Sequence, residues 1–157
     1  MKLNNLGVIK LDKYENHYIK LQKIHEKISF LIESYKPDTM AIEAPFYGKN
    51  PQSMLKLGRA QGVSIATAMT MGVEVTEYAP RKIKQSITGS GNASKEQVAA
   101  MLQRLLNMEK LPKYYDATDA LGVAVCHYLQ SNSVIQKAGK KYSSWKDYAK
   151  ENPKKLK

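Results

Sequence analysis

The spacing of apolar residues along the chain predicts helices that alternate with short strands. The clearest helix has apolar residues at three- and four-residue steps, and a Lys-Pro-Asp run after Tyr35 ends it. Residues 39–43 and 73–78 are expected to form strands, the second because it alternates apolar and polar positions. Residues 4–11 are also compatible with a short strand. The apolar stripe of the first helix consists of Leu21, Ile24, Ile28, Leu31, Ile32 and Tyr35.

Capping residues predict where the other helices begin and end. Asn50, followed by a proline, predicts a helix over 51–70. A short basic helix over 80–88 is expected to end at a glycine, and Ser94 opens the next helix with a capping box. Asp116 is expected to cap a last core helix over 116–130. The inner face of the helix after Ser94 should hold Val98, Met101, Leu102 and Leu105.

This order of elements indicates an α/β layered domain. Three strand candidates are few for five helices, so the predicted sheet is thin. From residue 131 onward the chain is polar and rich in lysine. We therefore expect a compact domain over 1–130 and a separate C-terminal tail over 131–157.

The net charge is the one compositional feature that indicates a class of partner. The 157 residues include 25 Lys and Arg against 14 Asp and Glu, a net charge of +11. Such an excess favours a polyanion, nucleic acid above all, although lysine-rich proteins without such a partner are common. Residues 137–157 hold eight lysines against two acids, so much of the excess lies in the tail.

Other compositional features exclude whole classes of protein. No apolar run is long enough to span a membrane, and no apolar signal segment opens the chain, so a cytoplasmic protein is expected. A single cysteine, Cys126, excludes an internal disulfide and a cysteine-rich zinc site.

Three carboxylates are candidate ligands for a metal ion. Glu43 ends an apolar strand, and Asp116 and Asp119 are three residues apart at the start of a helix. Carboxylate oxygens suit a hard divalent cation, and pairs of such cations catalyse phosphodiester hydrolysis. Each residue also has an ordinary explanation, since strand ends reach solvent and an aspartate stabilises a helix start. Similar carboxylate sets also hold structural Ca²⁺.

Three blocks of the chain resemble the RuvC-type Holliday-junction resolvases, which are nucleases of the RNase H-like fold. The resemblance implies a three-layer α/β fold with a mixed sheet, in which Glu43, Asp116 and Asp119 bind two Mg²⁺ ions, with Mn²⁺ as a substitute. The blocks are TMAIEAPFYGKNPQSMLKLGRAQGV (39–63), TEYAPRKIKQSITGSGNASKEQV (76–98) and YYDATDALGVAVCH (114–127).

Basic and aromatic residues near these carboxylates suit a DNA substrate. Arg81 and Lys84 lie on the short basic helix, and Lys95 lies just inside the capped helix, where lysines and backbone N–H groups of a helix start can hold a phosphate. A solvated basic face would look the same. The resemblance implies that Lys84 and Lys95 take part in catalysis and that Phe46 stacks on a base of the opened junction.

One part of the family pattern is absent from this sequence. The resolvases begin with a hairpin whose first strand leads into an Asp-Pro-Gly motif, and that aspartate is a further metal ligand; no such motif occurs here. Residues 1–12 correspond to the third strand of the family, so the fold is expected to be N-terminally incomplete. The loss of one ligand should weaken metal binding and slow cleavage.

The sequence therefore predicts a Mg²⁺-dependent, structure-specific endodeoxyribonuclease, a crossover junction endodeoxyribonuclease of DNA recombination and repair. A junction-binding protein without catalysis and an RNase H-like nuclease of RNA maturation are the alternatives. The resemblance implies a four-way DNA junction as substrate, a homodimer, and a branch-migration complex of the RuvA/RuvB type as a partner. Gly58 and Gly62, four residues apart, would allow close packing onto the sheet or onto a second subunit.

Overall fold

The computed structural model describes residues 1–45 and 50–132, and these residues form five helices and two strands. Phe46 and the tail from residue 133 lie outside them, so the predictions made for Phe46 and for the tail are not addressed by the described residues. The elements are α1 (His17–Tyr35), β1 (Thr39–Glu43), α2 (Pro51–Thr70), β2 (Glu74–Tyr78), α3 (Pro80–Thr88), α4 (Lys95–Leu105) and α5 (Tyr115–Ser131).

The predicted caps fix the helix boundaries. The Asn50 side chain accepts hydrogen bonds from the backbone N–H groups of the second and third residues of α2. Ser94 and Gln97 form the expected capping box at the start of α4. Gly89 ends α3 in the left-handed region with φ 81°, a conformation that an L side chain rarely adopts. Local sequence therefore determines three of the helix ends.

The two strands are parallel neighbours, and α2 is the connection between them. The register pairs Thr39 with Glu74 at one end and Glu43 with Tyr78 at the other. The pairing extends past the strand end, where the backbone N–H of Ala44 donates to the carbonyl oxygen of Tyr78 at 2.9 Å. This parallel pair holds the carboxyl end of β1 in a fixed position.

The core lies between the sheet and the last three helices. Ala41 of β1 and Tyr78 of β2 pack against this core. Met40, which points to the other face of the strand, borders a groove beside α1. The sheet therefore separates α1 from the helices α3 to α5. The core cluster consists of Ile83, Ile87, Leu102, Leu121, Val123, Val125 and Cys126.

A histidine joins the sheet to α5. The ring nitrogens of His127 lie 2.9 Å from the Thr39 hydroxyl of β1 and 3.0 Å from the Tyr78 hydroxyl of β2. His127 therefore has a structural role, because it links both strands to α5. None of the helices within 1–45 and 50–132 has the length and apolar character of a membrane span.

The prediction of a strand in residues 4–11 is wrong. The structure assigns no strand to these residues, and the Leu6 N–H donates to the Asn5 side chain at 2.8 Å, a local bond that competes with a sheet ladder. Leu3 and Leu6 nevertheless pack against the core cluster. The segment is therefore held by side-chain packing and not by strand pairing.

Two other local predictions are also wrong. Leu105 is 41% exposed, and Leu106 packs against the core in its place. Asp116 does not cap α5, because the helix begins at Tyr115 and the residue before it makes no side-chain cap.

The alternatives for the glycine pair of α2 are narrowed from two to one. A Cβ atom built on Gly58 or Gly62 would have nothing within 4 Å. No described part of the chain therefore packs closely on the glycine face of α2, so packing onto the sheet of the same chain is not observed and packing onto a second subunit stays a prediction.

Candidate active site

The strand β1 directs Glu43 toward the last three helices. Side chains alternate along a strand, so Glu43 lies on the same face as Ala41, which packs against the core cluster. Gln61 of α2 donates a hydrogen bond from Nε2 to the backbone carbonyl oxygen of Glu43 at 2.7 Å. Together with the Ala44 bond to β2, this contact fixes the strand end from both sides.

A cleft of about 690 Å³ opens where the end of β1 meets α3, α4 and α5. Four of the predicted site residues line it: Glu43 from β1, Lys84 from α3, Lys95 from α4 and Asp119 from α5. Each therefore comes from a different element. A site assembled in this way exists only when the domain is folded.

The electrostatics of the cleft centre on Glu43, which is half-buried. Burial raises the pKa of its carboxyl above the ordinary glutamate value, and the negative charge of Asp119 raises it further. The positive charges of Lys95 and Lys84 act in the opposite direction but do not cancel these effects. The cleft therefore holds a carboxylate whose ionised form would be stabilised by a further cation.

The contact between Lys95 and Asp119 is weak. The Lys95 Nζ lies 4.0 Å from the Asp119 Oδ2, and the two side chains are 69% and 50% exposed. Exposed ion pairs at such a distance contribute little to stability. Both side chains can therefore reorient toward a ligand at low cost.

Asp116 and Arg81 do not line this cleft. The cleft-facing residues of α5 lie at positions i, i+3, i+4 and i+7, starting from Tyr115 and including Asp119. At 3.6 residues per turn, Asp116 lies about 60° further round the helix than Asp119 and is exposed. Within residues 1–45 and 50–132, no three His, Cys, Asp or Glu side chains come together in a metal-binding arrangement.

The donor chemistry of the cleft nevertheless fits a hard divalent cation. Glu43 and Asp119 supply carboxylate oxygens, which Mg²⁺ and Mn²⁺ prefer, and Mg²⁺ in particular is commonly bound by one or two carboxylates with water. Burial is the main cause of the raised pKa of Glu43, and repulsion between its carboxylate and that of Asp119 adds to it. Binding of a cation between them would remove that repulsion.

The N-terminus of α4 offers less to a phosphate than the sequence indicates. The Ser94 hydroxyl already accepts the Gln97 N–H, and the Gln97 side chain accepts the Ser94 N–H. Glu96 adds a negative charge in the same turn. Any hold on a phosphate here would therefore come mainly from the Lys95 and Lys84 side chains, which line the cleft.

Sequence reasoning missed Gln61, Tyr115 and Thr118. Gln61 stabilises the strand end from a neighbouring helix, and no pattern in the sequence marks that contact. Tyr115 and Thr118 line the cleft on the same stripe of α5 as Asp119. Their helical spacing from Asp119 was a usable signal, because residues three and four apart share a face.

Comparison with known proteins gives consistent results across sequence and structure. The model of the family described as crossover junction endodeoxyribonuclease RuvC matches residues 1–127. A relative with that description from Cytophaga hutchinsonii is 62% identical over 157 residues, which are 100% of this chain and 76% of the relative. Another from Bacteroides fragilis is 56% identical over 154 residues, 97% of this chain and 81% of the relative.

A solved structure that is similar to this chain carries the same RuvC description as these relatives. The structure described as T. thermophilus RuvC in complex with Holliday junction substrate superposes with a TM-score of 0.78 at 28% identity. The match covers 83% of this chain and 79% of that chain. The layered arrangement described above is therefore the RNase H-like α/β fold of that protein.

Proposed function

The chain belongs to the RuvC family of crossover junction endodeoxyribonucleases, and we propose that its cleft is the site at which four-way DNA junctions are cleaved. The observation that carries this proposal is the meeting of Glu43, Asp119, Lys84 and Lys95 from four separate elements in one cleft. Two acids for a metal and two bases for a phosphate are the groups that phosphodiester hydrolysis requires.

The family is one of metal-dependent nucleases, and we propose Mg²⁺ as the ion used here, with Mn²⁺ as a substitute. Glu43 and Asp119 would hold it, and Asp116, at the next position round α5, is the proposed additional ligand. The chemistry supplied by such a cation is activation of the attacking water and stabilisation of the leaving oxygen.

The remaining residues position the DNA. Lys84 and Lys95 hold the scissile phosphate against the two carboxylates and balance part of its charge. Gln61 acts as a positioning residue, because its bond to the Glu43 carbonyl fixes the strand end that carries the carboxylate. The remaining predicted contacts are those of Arg81 with phosphates away from the cleft and of Phe46 with a base at the crossover.

A four-way junction has two equivalent strands to cut, and a homodimer with two clefts would match that symmetry. The face of α2 that contains Gly58 and Gly62 supports this, because no described part of the same chain covers it. We propose this face as the dimer contact, with branch-migration proteins of the RuvA/RuvB type as further partners. The proposed setting is DNA recombination and repair in the cytoplasm.

One observation favours a second candidate function, junction binding without cleavage. Within the described residues, the three predicted carboxylates are not gathered into a metal site. A protein with this cleft could hold a junction through its lysines and leave the backbone intact. Both functions give a complex of the protein with the junction, but only the nuclease gives nicked DNA. A cleavage assay therefore distinguishes them.

The test is incubation of the purified chain with a synthetic four-way junction in the presence of Mg²⁺, Mn²⁺ or a chelator. The proposal predicts symmetric nicks that require the metal. The double variant Lys84→Gln with Lys95→Gln should lose most of the junction binding, whereas Lys27→Gln on α1 should not. Junction binding without nicks under either metal would favour the second function. Nicks that persist in the chelator would refute the metal dependence.

A further inference from the structure

The cleft has an apolar half that metal and phosphate chemistry does not use. Its lining residues fall into two chemical sets, which we name the charged end (Glu43, Lys84, Lys95 and Asp119) and the apolar half, made of carbon-rich side chains from α4, the loop after it and the start of α5. An apolar surface that faces water next to a charged site indicates a ligand that has both an apolar part and a charged part. The apolar half is lined by Val98, Ala99, Leu111, Pro112 and Tyr115.

Tyr115 is the most unusual member of this surface. It is 78% exposed, although it stands on the first turn of a helix whose next turns are buried in the core. Within residues 1–45 and 50–132, no aromatic ring or cation stacks on its ring. Most of the surface of this side chain is therefore open to a ligand.

The helix places this ring beside the charged end of the cleft. Tyr115 is four residues before Asp119, and side chains with that spacing have Cβ atoms about 5–6 Å apart on one face. The start of α5 is defined by bonds from the Ala117 and Thr118 N–H groups to the Tyr114 carbonyl. A flat ligand on Tyr115 would therefore lie next to whatever Lys84, Lys95 and Asp119 hold.

We propose that Tyr115 stacks on an unpaired nucleobase next to the phosphate held at the charged end of the cleft. A base joined to a phosphate has the flat apolar part and the anionic part that the two halves of the cleft match. Aromatic stacking tolerates every base, so this contact would favour unpaired nucleotides over duplex rather than one sequence. The inference rests on the proposed function, because it takes DNA as the ligand.

The experiment uses four-way junctions with 2-aminopurine placed singly at positions around the crossover. Stacking on Tyr115 should quench the fluorescence of one such base when the wild type binds. The variant Tyr115→Phe should keep the quenching, and Tyr115→Ala should lose it. Affinity of Tyr115→Ala for the junction should fall by about 5- to 150-fold, which corresponds to the about 1–3 kcal/mol typical of one stacked base.

The matched control is Tyr18→Ala, because Tyr18 is 74% exposed on α1 and does not line the cleft. It should bind the junction like the wild type. If Tyr115→Ala also keeps its affinity and its quenching while the Lys84 and Lys95 double variant loses binding, the stacking proposal is wrong and the proposed function stands. If the wild type shows no junction binding, both fail.

Discussion

Gly122 gives a quantitative test of how α3, α4 and α5 pack. It lies in the buried interior of α5, where glycine costs helix stability without any need for a left-handed conformation. A Cβ atom built on it would lie 3.4 Å from Ile83 Cγ2, 3.5 Å from Ile87 Cδ1 and 3.9 Å from Leu102 Cδ1. The substitution Gly122→Ala would therefore add a methyl group in contact with two other helices.

The expected effect is stabilising. Alanine is favoured over glycine in a helix interior by about 0.8–1.0 kcal/mol. The new methyl group buries carbon in a space that admits it with a shift of at most a few tenths of an ångström at Ile83. We therefore expect a net gain of about 0.5–1.5 kcal/mol in the free energy of unfolding. For a chain of this size, 1 kcal/mol corresponds to about 2–4 °C in Tm.

The assay is thermal and urea unfolding followed by circular dichroism. The matched control is Gly89→Ala, where φ of 81° makes the same substitution unfavourable by about 1–2 kcal/mol. A loss of more than about 1 kcal/mol in Gly122→Ala would mean that Ile83 and Ile87 leave no room for the methyl group. That result would refute the packing described for the core.

Other predictions concern the carboxylate, a cap and the histidine link. The pKa of the Glu43 carboxyl is raised above its ordinary value of 4.5 in the folded chain. The protonated carboxyl therefore favours the folded state below pH 4.5, and this stabilisation is lost as the pH rises through the raised pKa. In metal-free protein, Glu43→Gln should therefore melt above the wild type at pH 8 and match it at pH 4; a lower Tm at pH 8 would contradict this. Asn50→Ala should cost about 1 kcal/mol in urea unfolding, since the cap accepts two N–H groups, whereas Asn50→Asp should cost little. His127→Leu should destabilise the protein by about 0.5–1.5 kcal/mol, because the half-buried Tyr78 hydroxyl loses its partner, whereas the exposed Thr39 hydroxyl can bond to water; an unchanged Tm would argue against the link.

The sequence predicts the local elements well because local chemistry determines them. The caps at Asn50, Ser94 and Gly89 specify helix ends within a few residues of chain, and the structure has all three. The strand predicted over 4–11 failed because a strand needs a partner as well as a suitable composition. Periodicity predicts Leu105 in the core, whereas Leu106 packs there instead. Which of the two faces the core depends on the direction of the helix axis, and periodicity alone does not give that direction.

The residues of the candidate site could be predicted only in part, because some of its contacts depend on the tertiary arrangement and not on local sequence. Glu43 and Asp119 could be chosen from their chemistry and from the family resemblance, and strand alternation places Glu43 toward α5. Whether Asp116 faces the cleft depends on which residues of α5 turn toward it. Neighbouring residues of a helix differ in direction by about 100°, so an error of one residue turns a side chain away from the site. The contact of Gln61 with Glu43 crosses from one helix to the end of a strand, so only the folded chain reveals it.

Glu43 and Asp119 are the two residues on which the proposed metal-dependent cleavage of a junction depends most directly. The most direct test compares nicking of a four-way junction in Mg²⁺ by the wild type, Glu43→Gln and Asp119→Asn at equal junction occupancy. We expect metal-dependent nicks by the wild type and a loss of about 100-fold or more in the nicking rate of each variant, with junction binding retained. Nicking at the wild-type rate by either variant would contradict it.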